Sequence, residues 1–126
     1  MDVNPPVLHE LETEIMEEVW SRGEATVHEV RDAINGRSDK LRAYTTVMTV
    51  MGRLVPKGLL TRRRAGRTDV YSATMERDAY LEARAEAEVS AVIDEYGDLA
   101  LVHFARQMDK LDPKRREELR KLGGDG

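Results

Sequence analysis

Thr45, Thr46, Thr49, Arg53 and Lys57 punctuate the stretch RAYTTVMTVMGRLVPKGLL, residues 42 to 60. At about 100° per residue, a helix through this stretch gathers them on one side, with Gly52 among them. Short side chains on such a side let the helix axis approach a partner closely. Threonine hydroxyls bond phosphates or base edges, threonine methyls can meet a thymine methyl, and Arg53 is long enough to reach a phosphate or a guanine. The face comes at a cost, because Glu, Lys and Gln are better helix formers than Thr or Gly. Arg62-Arg63-Arg64 and Arg67 follow directly. Strand neighbours alternate sides, so at most two of three consecutive arginines can reach one partner. Arg63, Arg64 and Arg67 are the expected phosphate contacts.

Other constellations offer less. His9, His28 and His103 fall on separate expected helices without metal-ligand spacing, so no metal site is expected. Glu10, Glu12, Glu14, Glu17 and Glu18 bring carboxylates together, yet no base, nucleophile or oxyanion pattern accompanies them. They read as a solvated helix face, and the chain is read as a non-enzyme without a cofactor. The absence of cysteine excludes disulfides, thiolate metal sites and thiol redox chemistry.

The elements that must position the Thr-Arg face can be read from apolar spacing. Leu8, Leu11, Ile15, Val19 and Trp20 predict an amphipathic helix over residues 8 to 21, ending before Gly23. Thr26-Val27-His28-Glu29 is a capping box that opens a second helix, with Val27, Val30, Ala33 and Ile34 inward and its close near Asn35-Gly36. A polar connection leads to the third helix, Tyr44 to Val55. Its inner face is Val47, Val50, Met51 and Leu54, joined by Tyr44, Met48 and Val55; Pro56 and Gly58 stop it. Leu59 to Arg64 and Thr68 to Ala73 predict a hairpin with a basic tip. Three helices and a basic hairpin in this order are those of a winged helix-turn-helix domain, whose third helix enters the DNA major groove while the hairpin lies along the backbone. The expected fold is therefore mainly α with a small β-hairpin.

Beyond Glu76 the pattern is helical throughout. One helix runs to Gly97 with Leu81, Ala85, Val89, Val92 and Tyr96 on a stripe, a second is capped by Asp98, and Asp112-Pro113 opens a third. In the second, Leu99, Leu101, Val102, Phe104, Ala105, Met108 and Leu111 cover more than one face. A neighbour within one chain cannot cover them all, so they predict a homodimer. The division expected is a DNA-binding domain over residues 1–75 and a helical dimerisation domain over residues 76–126. Charge supports it: residues 1–36 hold two basic and nine acidic side chains, residues 37–77 ten and three, and residues 78–126 eight and twelve. Basic charge is concentrated where an anionic polymer would bind. Without a signal-peptide pattern or an apolar run of bilayer length, a soluble cytoplasmic protein is expected.

The run AYTTVMTVMGRLVPKGLL, the hairpin RRRAGRTDVYSA, the opening LHELETEIMEEVWSRGEATVHEV and the late LALVHFARQMDKL resemble the penicillinase-repressor family of the BlaI/MecI type. The resemblance covers almost the whole chain. It implies a dimeric bacterial repressor of β-lactam resistance or cell-envelope stress genes, with double-stranded operator DNA as partner. In that family the positions matching Thr46, Thr49 and Arg53 belong to the DNA-reading helix. Members are released when a membrane sensor protease leads to a cut at an Asn-Phe bond; the matching dipeptide here is His103-Phe104, a departure at its first residue. Pro56 is a second departure. The cysteine motif of a copper-responsive branch is missing. The competing expectations are a winged-helix module that binds protein, and a repressor of unrelated genes with a different inducing signal.

Overall fold

A computed structural model describes residues 5–124 of the chain. Its elements are α1 (Glu10–Arg22), β1 (Glu24–Ala25), α2 (Val27–Arg37), α3 (Tyr44–Leu54), β2 (Leu60–Ala65), β3 (Thr68–Ala73), α4 (Arg77–Tyr96), α5 (Asp98–Asp109) and α6 (Pro113–Leu122). They form two compact units, which divide at Ala85 and Glu86 inside α4, ten residues beyond the boundary read from the sequence.

In the first unit, Ile15, Met16 and Val19 of α1, Val30 and Ile34 of α2, and Val47, Met51 and Leu54 of α3 are fully or almost fully buried against one another. Leu59, Leu60 and Tyr71 close this core from the wing side. Two residues that were expected in solvent are drawn in. Glu12 and Glu18 on α1 are buried, at 7% and 8% exposure, because cations from other turns reach them. Lys57 Nζ lies 2.6 Å from Glu12, and Arg22 and Arg37 hold Glu18 at 2.5 and 2.8 Å.

Local chemistry sets each end. The Glu12 side chain accepts from the His9 backbone N–H at 3.0 Å, so α1 starts at Glu10, two residues later than the spacing suggested. At α2 the Thr26–Glu29 capping box is reciprocal, with bonds of 2.9 and 3.2 Å. That helix closes at Arg37, next to the expected Asn35-Gly36. Asn35 spans the connection: its amide donates to the Arg42 carbonyl at 3.0 Å and accepts from the Arg42 N–H at 2.8 Å, clasping the turn ahead of α3. After Leu54 the chain turns through Gly58, whose φ of 84° suits glycine, and the Leu59 N–H bonds back to the Leu54 carbonyl at 3.0 Å.

The sheet is antiparallel in the order β1-β3-β2. Its β1 strand, two residues long, pairs Ala25 with Tyr71 and was not expected from the sequence. In the hairpin Leu60 opposes Ala73, Arg62 opposes Tyr71 and Arg64 opposes Asp69. Gly66 and Arg67 make the turn, Gly66 with a φ of 66° and Arg67 with an ordinary negative one, as a type II′ hairpin requires.

The first turns of α4 belong to the same unit. Trp20 donates to the Met75 carbonyl at 2.9 Å and its ring lies 5.4 Å from that of Tyr80. Tyr80 in turn donates to the Pro6 carbonyl, and Arg77 pairs with Glu17 at 2.7 Å. In the second unit Gly97, not Asp98, is the N-cap of α5, with Asp98 its first residue. Asp112 caps α6 by accepting from the Arg115 N–H at 2.8 Å, with Pro113 in the first turn.

Candidate nucleic-acid interface

The α3 helix separates its residues by face. Val47, Met51 and Leu54 are wholly buried, whereas Thr45, Thr46, Thr49 and Arg53 are all exposed, side by side on the outer arc. Met48, expected among the inner residues, is 42% exposed: it lies one turn beyond Tyr44, beside the wing and outside the core. Gly52, half-buried, falls next to Thr45 at the edge of the outer arc, and a Cβ added there would meet nothing within 4 Å. Packing therefore does not demand a glycine at this position, although glycine costs a helix interior about 1 kcal/mol relative to alanine.

The wing divides its arginines. Cross-strand partners share a face of a sheet, so Arg62 and Arg64, opposite Tyr71 and Asp69, point to one side and Arg63, opposite Val70, to the other. Arg63 turns toward β1 and holds both oxygens of Glu24 at 3.0 Å. Arg64 lies 3.5 Å from Asp69 and donates to the Gly66 carbonyl at 3.2 Å. The Arg62 guanidinium stands 6.0 Å over the Tyr71 ring. Arg62, not among the expected contacts, is the one that shares a face with Arg64, as strand alternation dictates. Arg53 and Arg67 make no ion pair among the described residues.

Carboxylates behind this surface are held in their charged form. For Glu12, burial opposes ionisation, but the Lys57 ammonium and the His9 backbone N–H together outweigh it and hold the carboxyl below the usual range. Hydrogen bonds from Arg22 and then Arg37 do the same for Glu18. Lys57, expected to face a partner, is thus engaged inside its own chain, with its side chain 40% exposed.

On α5, Leu99, Leu101, Val102, Phe104 and Met108 are exposed, as is Ala105, while Leu111 beyond its end is half-buried. Leu101, Phe104, Ala105 and Met108 fall within about 100° of arc at helical spacing. The His103–Phe104 bond lies inside this helix, with both residues exposed. No group of three or more His, Cys, Asp or Glu among the described residues could hold a metal ion. No helix among them is long and apolar enough to cross a membrane.

Three helices, a two-residue strand and a basic hairpin, with short hydroxyl and arginine side chains on the outer arc of the third helix, define a winged helix-turn-helix module. More particularly, the chain belongs to the penicillinase repressor family, whose model matches residues 8–123. The transcriptional regulator BlaI of Mycobacterium tuberculosis is 38% identical over 117 residues, covering 86% of this chain and 80% of that protein. The penicillinase repressor of Bacillus licheniformis is 26% identical over 82 residues, 65% of this chain and 62% of that one. Among solved structures, the DNA-binding domain of the repressor BlaI superposes with a TM-score of 0.52 at 26% identity, covering 64% of this chain and 94% of that one. Monomeric Bacillus licheniformis BlaI in complex with the blaP half-operator gives 0.50 at 26% identity, with coverage of 60% and 90%.

Proposed function

We propose that this chain is a dimeric transcriptional repressor that sets α3 into the major groove of operator DNA and lays the β2–β3 wing along the backbone. One observation carries the reading: α3 is wholly buried along Val47, Met51 and Leu54 and exposed along Thr45, Thr46, Thr49 and Arg53. A helix presented in this way, thin on its outer side, suits a groove about 12 Å wide. Arg64 and Arg67 of the wing, with Arg62 beside them, supply phosphate contacts, Arg64 in competition with Asp69; Arg63 and Lys57 do so only by leaving Glu24 and Glu12. Membership of the penicillinase repressor family and the operator complex of a relative support the same reading.

Residues 1–75 carry the DNA-binding function and residues 76–126 the dimerisation function, through Leu99, Leu101, Val102, Phe104, Ala105, Met108 and Leu111. A two-fold dimer presents two copies of α3 to half-sites about 10 base pairs apart, so the operator is pseudo-palindromic. The genes controlled are those of β-lactam resistance or the cell envelope, and the repressor works in the cytoplasm. Release by a membrane sensor protease at His103-Phe104 requires α5 to open locally, since that bond lies within the helix.

Titration of duplex DNA at rising salt tests the central claim. Log K falls against log salt with a slope of about -0.9 per phosphate contact; a flat line would sink the DNA reading. Footprinting of bound sites across the genome then identifies the operator and its genes.

A further inference from the structure

His28, in the first turn of α2, lies outside the residues assigned above. Its imidazole stacks on the ring of Tyr44, with centroids 4.4 Å apart and planes tilted by 33°. The Arg31 guanidinium stands 5.9 Å from the same ring. Tyr44 is the first residue of α3, so this stack joins the α2 end of the surface to the start of the groove-facing helix. Both rings line a depression of about 340 Å³ that is bounded on the wing side by Arg64 and Arg67.

The charges around His28 favour an anion. From the wing, Arg64 and Arg67 face the depression together with Asp69 and the Tyr71 phenol, and Asp69 lies 3.5 Å from Arg64. From α3 the only titratable group is the Tyr44 phenol. On α2 itself, Glu29 is taken up by the Thr26 backbone N–H at 2.9 Å, and Asp32 by Arg31 at 2.8 Å. Each carboxylate near the imidazole already has a donor. A phosphate entering here would meet two guanidinium groups and a ring that stacking keeps in place.

We propose that the depression between α2, α3 and the wing seats a phosphate of the DNA backbone, and that His28 contacts it as an imidazolium. This rests on the DNA-binding reading given above. Histidine changes charge between about pH 5 and 8, and a neighbouring anion favours its charged form. The complex therefore holds more protons than the free components. DNA affinity rises as pH falls through that window, and fades as pH climbs out of it.

The test uses the full chain and a fluorescent random-sequence duplex, titrated at several salt concentrations at about pH 5.5 and pH 8. Wild type binds severalfold more tightly at the lower pH, and its salt slope is steeper there by about 0.9 for each protomer bound. His28→Phe keeps a ring against Tyr44 but cannot gain charge, and it loses both effects. His28→Gln, at the same exposed position, does likewise and guards against a folding fault in the first variant; thermal melts of both verify folding. His9→Gln retains the wild-type response. Wild type without a pH response, or His28→Phe and His28→Gln that keep it, overturns this inference alone. A salt-independent interaction at every pH overturns the inference and the DNA reading together.

Discussion

Arg53 differs from Arg63 and Lys57 in having no carboxylate to leave when a phosphate arrives, since no described residue pairs with it. Arg53→Ala is therefore expected to weaken DNA binding directly and to reduce the magnitude of the salt slope by about 0.9 per protomer. Sedimentation should find its oligomeric state unchanged, and a shift to monomers would contradict the assignment. Glu18 makes the opposite kind of prediction. Its pKa is depressed in the folded chain from a usual value of 4.5, first by Arg22 and then by Arg37. A depressed carboxylate contributes stability that is present above the unfolded pKa and is lost as pH falls through the lower folded one. Glu18→Gln should cost about 1 kcal/mol at neutral pH through weakened charge-assisted hydrogen bonds. It should also lose less than wild type on acidification below about pH 4.5; equal acid sensitivity in chemical denaturation would argue against this account. Residue identity alone exposed the cations but not their partners. Glu12 and Lys57 are 45 positions apart, and only the fold brings them to 2.6 Å.

At the scale of elements, α3 carries a glycine that its packing does not use. Gly52→Ala should stabilise the winged-helix unit by about 1 kcal/mol, measured by thermal or urea unfolding. DNA affinity should fall, because the added methyl thickens the side that must approach the groove floor. An unchanged affinity would show that Gly52 lies clear of the DNA. The long elements were legible because apolar spacing of three and four, the Thr26–Glu29 capping box and the Asp112-Pro113 pair each report a helix through its own mechanism. The hairpin was legible through its turn. The β1 strand is shorter than any period. The two residues of β1 have no pattern of their own and exist because Tyr71 and Ser72 offer a strand edge. Met48 stands outside the core because its neighbours stop short of it, which an apolar arc does not reveal. The Asn35 clasp on Arg42 was not legible either, because it joins the side chain of one residue to the backbone of another seven positions on.

For the whole molecule, the apolar surface of the C-terminal helices sets the expectation. Leu81, Val89, Val92 and Tyr96 on α4, and Leu101, Phe104 and Met108 on α5, stand exposed at helical spacing. Exposed stripes of this kind mark surfaces that meet a partner. Phe104→Glu should shift the protein to monomers in sedimentation and lower operator affinity, since the two half-sites would no longer be gripped as one. Thermal unfolding of the winged-helix unit should stay within a few tenths of a kcal/mol of wild type. A variant that remained dimeric would remove Phe104 from the interface. The concentration of charge between residues 37 and 77 was legible at this scale from a count alone. What the count missed is that part of the charge is already spoken for: Glu24 occupies Arg63, Asp69 sits beside Arg64, and Glu12 holds Lys57. On the function proposed above, DNA competes with these carboxylates, so an arbitrary sequence, contacting mainly the backbone, is held more loosely than the tally of cations implies. Such looseness has a kinetic use. Dwell times on wrong sites shorten, and more of the search for an operator is spent moving along DNA than waiting on it.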